Sequence, residues 1–351
     1  MGELTDHFIQ AIQETGAVAP NHYLTFLSNA VKEVDTASPS DPCLSDYVKE
    51  LSSLIIKTVN FALNAKETEK FAQILGEAHF YLLCKEKGVI LERVTGGGYK
   101  EKKPDFKLKD HDVFFEVKTL SVVEGHQSIN QSLNDSMESQ IEIDEQFQNG
   151  FQIASSEMVV QPYGEKPYEK GKGALTTVIE TILEKTRNNL RSGQFKNNNT
   201  FLVLNLSMLI LLCHDTRALR PAYCDDYIFK KVMTGELWMI GFGQPGMAIF
   251  TAPEWEGKPC IESFFDKEGI LVSQDYEDVA GLLFMIHPWR KESEIWGLFS
   301  YEKHNYWNDH NTDLLDILMV LTDKKWNDDK DTNGWQLEKM TEPFSIKESR
   351  A

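Results

Sequence analysis

The sequence predicts an α/β protein built around a central sheet, and two observations favour this class. Helical and extended patterns alternate along the middle of the chain, in the order helix, three strands, helix, strand. The last of these strands is apolar on both faces, as expected of a central or parallel strand. At 351 residues, 41% of them hydrophobic and 26% charged, the chain has the composition of a globular protein with room for a sizeable core.

The first 65 residues have helical apolar spacing and are predicted to form an all-helical extension. The clearest stretches are HYLTFLSNAVKEV and LSDYVKELSSLIIKTVNFALNA, with the loop TASPSDPCLSD between them. Ser45 and Asp46 have side chains that favour a helix start, so we expect the second helix to begin there.

The alternating elements begin with an amphipathic helix from Lys66 to about Lys87, which Gly88 is expected to end. Three extended stretches follow, and a glycine loop, TGGGYK, separates the first two. These stretches are VILERV, PDFKLK and VFFEVKTL, and after them come the helix ALTTVIETILEKTRNNL and the strand NTFLVLNLSMLILL. The apolar stripe of the first helix consists of Phe71, Ile74, Leu75, Ala78 and Leu82.

We divide the chain into the helical extension at residues 1–65, a core at 66–215 with an insertion at 121–165, and a C-terminal region at 216–351. The C-terminal region is predicted to be α+β and to continue or cover the sheet. Its strand-like stretches are ELWMIGF, GMAIFTA, VAGLLFMIHP and EIWGLFSY.

The composition argues against several functions. A formal net charge of −18 argues against nonspecific binding of polyanions, because nucleic-acid affinity depends largely on basic residues that face phosphates. Any nucleic-acid role must therefore be local. No window approaches the apolar length of a membrane span, so we expect no membrane partner. Five scattered cysteines without a Cys-x-x-Cys pair favour a reducing cytoplasm.

The third extended stretch has charged residues on one face only. Side chains alternate along a strand, so Glu116 and Lys118 share one face, and the residues beside them share the other, more apolar face. If Asp110 and His111 form a two-residue hairpin loop, Asp105 of the preceding strand lies directly across from Glu116. The sequence therefore predicts two opposed carboxylates and a lysine on one face of a hairpin.

Opposed carboxylates repel each other, and the pair costs stability unless a cation or a proton intervenes. Clustered hard oxygen ligands suit Mg²⁺, with Mn²⁺ as an alternative. Lys118 on the same face is placed to position an attacking water and to offset charge on phosphoryl oxygens. Taken singly, an Asp beside a turn or a Glu-x-Lys strand is more often a solvated surface feature, and their combination is what favours a site.

Pro104-Asp105 followed by Glu116-Val117-Lys118 resembles the PD-(D/E)xK signature of the restriction-endonuclease-like nuclease superfamily. The order helix, three strands, helix, strand resembles the core of that superfamily, which has a mixed central sheet. The resemblance covers roughly residues 66–212, and it leaves the helical extension and most of the C-terminal region unmatched.

The resemblance implies a Mg²⁺-dependent endonuclease that hydrolyses phosphodiester bonds, with DNA as the favoured substrate, through a metal-activated water. It implies Asp105 and Glu116 as metal ligands, the Val117 carbonyl as a further ligand and Lys118 as the catalytic lysine. Superfamily members often place another acidic residue on the preceding helix, and Glu77 matches it, although by its pattern alone Glu77 is as well explained as a surface residue. Bacterial defence against foreign DNA, or DNA processing, is the context that the resemblance implies.

Basic side chains that are candidates for holding the nucleic acid lie on the second helix and beside Asp105. Lys185 lies on one stripe of that helix, with Arg187 and Arg191 nearby, and a solvated helix face is the competing interpretation. Lys103 and four neighbouring lysines surround Asp105 and would offset the global negative charge locally.

The insertion at 121–165 departs from a minimal nuclease core, because it contains eight Asp or Glu and no Lys or Arg. Beside the site it would repel a phosphate backbone, so it points away, binds a protein partner or acts as a lid. The acidic charge favours one alternative, a non-catalytic, nuclease-like binding or assembly protein. An RNA-directed nuclease is a second alternative, because the sequence does not distinguish RNA from DNA as the substrate. A protein partner on the C-terminal region and a homodimer also remain open.

Overall fold

The computed structural model consists of helices packed around a seven-stranded mixed sheet, together with two short hairpins. It is an α/β protein, as predicted. The structure describes residues 2–14, 24, 27–94, 103–120, 140–155, 174–190, 195, 199–207, 222–226, 229–233, 236–250, 261–286, 292–300, 312–323 and 335–338.

The N-terminal part of the chain is helical, as predicted, and it packs onto the first helix of the core. Phe8 stacks on Phe71 with ring centroids 5.4 Å apart, and Phe61 meets the same ring edge-on at 5.3 Å. These contacts join the N-terminal helices and the core in one hydrophobic cluster. The four helices are α1 (Glu3–Gln13), α2 (Ser28–Ala37), α3 (Pro42–Lys57) and α4 (Ala65–Glu86).

Helix α3 differs from the prediction at both ends. It begins at Pro42 because Asp41 caps it: the Asp41 carboxylate accepts hydrogen bonds from the N–H groups of Cys43 (2.8 Å) and Leu44 (3.1 Å). The expectation that Ser45 and Asp46 start this helix is therefore wrong. The helix ends at Lys57, and a separate short 3₁₀ turn then follows at Phe61–Leu63.

Helix α4 matches the prediction closely. The Asn64 side chain accepts a hydrogen bond from the Glu67 N–H at 3.2 Å and starts the helix. At the other end Gly88 has φ +76°, a left-handed conformation that glycine adopts without a Cβ penalty, and it stops the helix as expected. All five residues of the predicted apolar stripe are buried. The helix packs across the strand Phe114–Thr119.

The central sheet has the strand order β1-β2-β3-β4-β9-β10-β11. Strand pairs β1/β2, β2/β3 and β9/β10 are antiparallel, whereas β3/β4, β4/β9 and β10/β11 are parallel. Strands β5/β6 and β7/β8 form separate antiparallel hairpins. The strands are β1 (Leu91–Arg93), β2 (Phe106–Leu108), β3 (Phe114–Thr119), β4 (Thr200–Asn205), β5 (Ala222–Asp226), β6 (Phe229–Met233), β7 (Ala248–Phe250), β8 (Ile261–Phe264), β9 (Val279–Ile286), β10 (Glu294–Ser300) and β11 (Trp335–Glu338).

The predicted order of elements is present among the described residues. Helix α4 precedes β1, β2 and β3, and helix α5 (Ala174–Asn189) precedes β4. Strand β4 is buried along its whole length, which fits its place between two parallel neighbours, β3 and β9. A stack of aromatic rings joins the layers: Phe115 of β3 lies 5.6 Å from Phe80 of α4 and 5.7 Å from Phe201 of β4.

The hairpin of β2 and β3 has the predicted register. Phe106 is paired with Phe115, and the Leu108 N–H donates to the Val113 carbonyl at 2.8 Å. The loop is longer than predicted: it spans the four residues 109–112 and not Asp110 and His111 alone. The His111 N–H closes a turn onto the Leu108 carbonyl at 3.2 Å, with Asp110 left-handed at φ 63°, which Asp tolerates.

The C-terminal region confirms some predicted strands and corrects one. VAGLLFMIHP and EIWGLFSY contain β9 and β10, and GMAIFTA contains the short β7. The prediction that ELWMIGF is a strand is wrong: Glu236–Phe242 forms helix α6, with Leu237 to Phe242 all buried. An apolar run of this length has no periodicity that separates a buried helix from a buried strand. Helix α7 (Thr312–Leu321) is the last described helix.

No helix in the described ranges is both long enough and apolar enough to cross a membrane.

Candidate metal centre

Three carboxyl groups from three different parts of the chain lie close enough to interact electrostatically at one end of the β2/β3 hairpin. Glu116 lies on β3, Asp105 comes directly before β2, and Glu77 lies on α4. Helix α4 approaches the sheet closely because residue 76 is glycine. A Cβ at this position would overlap the Thr119 Oγ1 and lie only 2.7 Å from the Asn205 Nδ2. This close approach places Glu77 beside the hairpin.

Asp105 is fixed by main-chain contacts to both neighbouring strands. Its N–H donates to the Phe115 carbonyl and its carbonyl accepts from the Val94 N–H, each at 3.0 Å. Its Oδ2 accepts a hydrogen bond from the Val117 N–H at 2.7 Å. The bonds to Phe115 and Val117 flank Glu116, so Asp105 sits opposite it, as the register requires.

Glu116 is 1% exposed, and its Oε1 accepts a hydrogen bond from the Lys118 ammonium on the same face of β3. The opposite face of β3 carries Phe115 and Val117, both buried. The predicted division of β3 into a charged and an apolar face is therefore observed. Val117, whose carbonyl was the expected further ligand, lies opposite Val203 of β4.

The pKa of each carboxyl group is raised, and burial is the main cause in each. Burial and the neighbouring Asp105 charge raise the pKa of Glu116 to about 7, against the opposing effect of Lys118. Burial and Asp105 also raise the pKa of Glu77 to about 8, although a hydrogen bond from Tyr47 opposes the rise. Burial raises the pKa of Asp105, while the bond from Val117 and the charge of Lys118 lower it.

The donor set fits a hard divalent cation. Carboxylate oxygens are the ligands that Mg²⁺ and Mn²⁺ prefer, and a cation between the carboxylates would relieve their mutual repulsion. Within the described ranges, no group of three His, Cys, Asp or Glu side chains is already arranged to hold an ion. Glu77, Asp105 and Glu116 would therefore have to reorient to coordinate one together.

Two residues of the site were not among the predicted ones. The Tyr47 hydroxyl donates a hydrogen bond to the Glu77 Oε2 at 3.0 Å, and the Arg93 guanidinium lies 4.1 Å from the centroid of the Tyr47 ring. The positive charge of Arg93 acts against the larger effect of burial, which raises the pKa of both Glu77 and Asp105. In the sheet Arg93 lies opposite Phe106, the residue after Asp105. Pairing the two stretches on either side of the TGGGYK loop is the sequence signal that could have identified Arg93 as part of the site.

The described residues among the predicted substrate-binding ones lie on two different parts of the chain. Lys103 is exposed and stands two residues before Asp105. Lys185 and Arg187 lie on α5, which packs on α6, and the Arg187 guanidinium donates to the Glu268 carbonyl. Arg191 lies outside the described residues.

The acidic insertion is described only at residues 140–155, which include a helical segment at 140–148. The side chains of Ile141, Phe147, Phe151 and Ile153 in this part are all more than half exposed.

Comparison with families of known proteins, with curated proteins and with solved structures gives no match to this chain.

Proposed function

We propose that this protein is a Mg²⁺-dependent nuclease that hydrolyses phosphodiester bonds, with DNA as its substrate. The observation that carries the proposal is that Glu77, Asp105 and Glu116, each on a separate element, lie close enough to interact electrostatically, while Lys118 contacts Glu116. A scaffold has no evident need for carboxylates opposed in this way, because their repulsion and burial cost free energy.

The order of elements also supports the proposal. Helix α4, strands β1 to β3, helix α5 and strand β4 follow one another as in the restriction-endonuclease-like core, and the sheet is mixed. By that resemblance Asp105 takes the position of the signature Asp, and Glu116 and Lys118 take the positions of the Glu-x-Lys pair. The fold and the signature residues thus favour the same chemistry.

Each side chain has a distinct task in the proposed reaction. Glu77, Asp105 and Glu116 would hold the ion, and the bound ion supplies Lewis acidity at the reacting phosphate. Lys118, partly exposed beside Glu116, holds the attacking water and offsets the negative charge that develops on the phosphoryl oxygens. The Val117 N–H keeps the Asp105 carboxylate in place throughout.

The test is incubation of the purified full chain with linear, supercoiled and single-stranded DNA and with RNA, in Mg²⁺, Mn²⁺ or EDTA. Asp105→Ala and Lys118→Ala are compared with Asp112→Ala, an exposed residue of the same hairpin, and Lys49→Ala, an exposed residue of α3. We expect cleavage of DNA with a divalent cation, and a loss of about 100-fold or more in the first two variants only.

Cleavage that survives EDTA and both site variants would remove the mechanism. Cleavage of RNA in place of DNA would keep the mechanism and change the substrate. Binding of nucleic acid without any cleavage would favour the non-catalytic binding protein, which the net charge of −18 keeps as the alternative.

A further inference from the structure

Helix α3 reaches the candidate metal centre through Tyr47. Tyr47 of α3 is completely buried, and its hydroxyl donates a hydrogen bond to the Glu77 Oε2 at 3.0 Å. A tyrosine ring that is enclosed in this way has few accessible rotamers, so the hydroxyl stays at a fixed point. Glu77 has three rotatable side-chain bonds and lies at a helix face, where such a side chain ordinarily samples several conformers.

Arg93 completes this arrangement from the sheet. Its guanidinium carbon lies 4.1 Å from the centroid of the Tyr47 ring, and one of its nitrogens lies 3.7 Å from the Glu50 Oε2 on the same helix as Tyr47. The cation–π contact binds β1 to α3 at the site, since Arg93 is opposite Phe106 in the ladder. Tyr47 is therefore held on one side by the core and on the other by Arg93.

We propose that Tyr47, with Arg93 stacked on its ring, is a positioning residue that fixes the Glu77 carboxylate for a divalent cation. This inference rests on the proposed function, in which Glu77 is a ligand. A carboxylate that accepts a bond at Oε2 from a fixed donor can still offer its Oε1 to a cation, and Glu77 lies close enough to Asp105 and Glu116 for their charges to act on it. Outer-shell hydrogen bonds of this kind orient ligands and raise metal affinity.

The proposal gives the N-terminal helices a role in the site, in addition to their role in the core. Helix α3 is itself anchored at its N-terminus, where the Asp41 carboxylate caps the helix and accepts bonds from Lys85 (2.6 Å) and Tyr81 (3.1 Å) of α4. These contacts join the N-terminal end of α3 to α4.

The experiment is a calorimetric titration of the metal-free full chain with Mn²⁺, in the absence of nucleic acid. Tyr47→Phe removes the hydroxyl and keeps the ring under Arg93, and we expect its Mn²⁺ affinity to fall about tenfold. Tyr81→Phe is the matched control, because it also removes one tyrosine hydroxyl that donates to a carboxylate, that of Asp41, outside the site. Its Mn²⁺ affinity should equal that of the unaltered chain.

A double-variant cycle separates positioning from a general loss of structure. In the Glu77→Gln background the proposed ligand is already impaired, so adding Tyr47→Phe should weaken Mn²⁺ binding by much less than tenfold. Equal Mn²⁺ affinities of Tyr47→Phe and the unaltered chain, or a full tenfold loss in both backgrounds, would overturn the inference.

The cation site itself is tested in the same titration by Asp105→Asn. Loss of Mn²⁺ binding in Asp105→Asn with no effect of Tyr47→Phe rejects the positioning role alone. If Asp105→Asn binds Mn²⁺ as tightly as the unaltered chain, the proposed function fails and the positioning role fails with it.

Discussion

Glu116 shows what burial does to the carboxyl group that we propose as a cation ligand. It is 1% exposed on a central strand, where an ionised carboxylate loses its hydration at a large cost in free energy. The ammonium of Lys118 offsets part of that cost, yet burial and the Asp105 charge still raise the pKa of Glu116 to about 7. A divalent cation would stabilise the ionised form, which explains why a protein would keep such a costly arrangement.

Glu77→Gln tests the electrostatic strain in the metal-free protein. Because the pKa of Glu77 rises from its ordinary value of 4.5 to about 8, the folded chain binds this proton more tightly than the unfolded chain, and folding loses stability as pH increases through that interval. Glutamine carries no charge at any pH. The variant should therefore be more stable than the unaltered protein at pH 9, by on the order of 1–2 kcal/mol, and the difference should shrink toward pH 4.5.

Thermal or urea unfolding of the metal-free protein across this pH range provides the measurement. Glu86→Gln, at an exposed position of the same helix, is the control, and it should show no comparable gain at pH 9. A Glu77→Gln variant that is less stable than the unaltered protein at pH 9 would contradict the account.

At the scale of elements, the hairpin was predictable from the chain and the residues around it were not. Alternation of charged and apolar residues predicted the faces of β3, and the position of the turn predicted the register that places Asp105 opposite Glu116. The register is as predicted although the loop has four residues instead of two. The loop is longer by one residue on each side, so the remaining residues stay opposite the same partners. Both facts follow from local spacing.

Tyr47 could not be predicted from the sequence, and Arg93 could be found only through its pairing with Phe106, because their contacts depend on how distant elements pack. Tyr47 reaches Glu77 across the α3/α4 interface, 30 residues along the chain. Helix α6 was missed for a different reason, since a fully buried apolar run such as LWMIGF satisfies a strand and a helix equally well. Hydrophobic periodicity arises because one face of an element is exposed to water, so it cannot distinguish a helix from a strand where every side chain is buried.

The close approach of α4 to the sheet makes Gly76→Ala a sharp test of the site architecture. Alanine at an ordinary helix position stabilises relative to glycine by about 1 kcal/mol. At position 76 the added methyl group would meet Thr119 and Asn205, and we expect a net loss of about 1–3 kcal/mol of unfolding free energy as α4 moves outward.

Urea unfolding monitored by circular dichroism gives that free energy, with Gln73→Ala at an exposed position of α4 as the control, expected within about 0.5 kcal/mol. A Gly76→Ala protein as stable as the unaltered chain would show that α4 does not lie against β3 and β4 as described.

At the scale of the whole molecule, the net charge of −18 opposes the binding of a polyanion. The insertion at 121–165 contributes to this charge with eight acidic residues and no basic ones. Removal of residues 125–165 should therefore strengthen DNA affinity at low salt, and the gain should diminish as salt screens the charges.

Fluorescence anisotropy with a labelled duplex measures that affinity, and circular dichroism checks that the shortened protein is folded. Unchanged DNA affinity and unchanged nuclease activity in a folded deletion protein would show that the insertion is neither a lid nor an electrostatic barrier. The insertion would then either point away from the site or bind a protein partner.

The central claim is that Glu77, Asp105 and Glu116 form one divalent-cation site. Crystals grown with Mn²⁺ test it most directly, because anomalous scattering locates the ion without reference to activity. The account predicts an anomalous peak within about 2.0–2.3 Å of oxygens of Asp105 and Glu116, with Glu77 bound directly or through water. The account would be contradicted by well-ordered crystals in saturating Mn²⁺ that show no anomalous peak between these carboxylates and in which Lys118 still contacts Glu116.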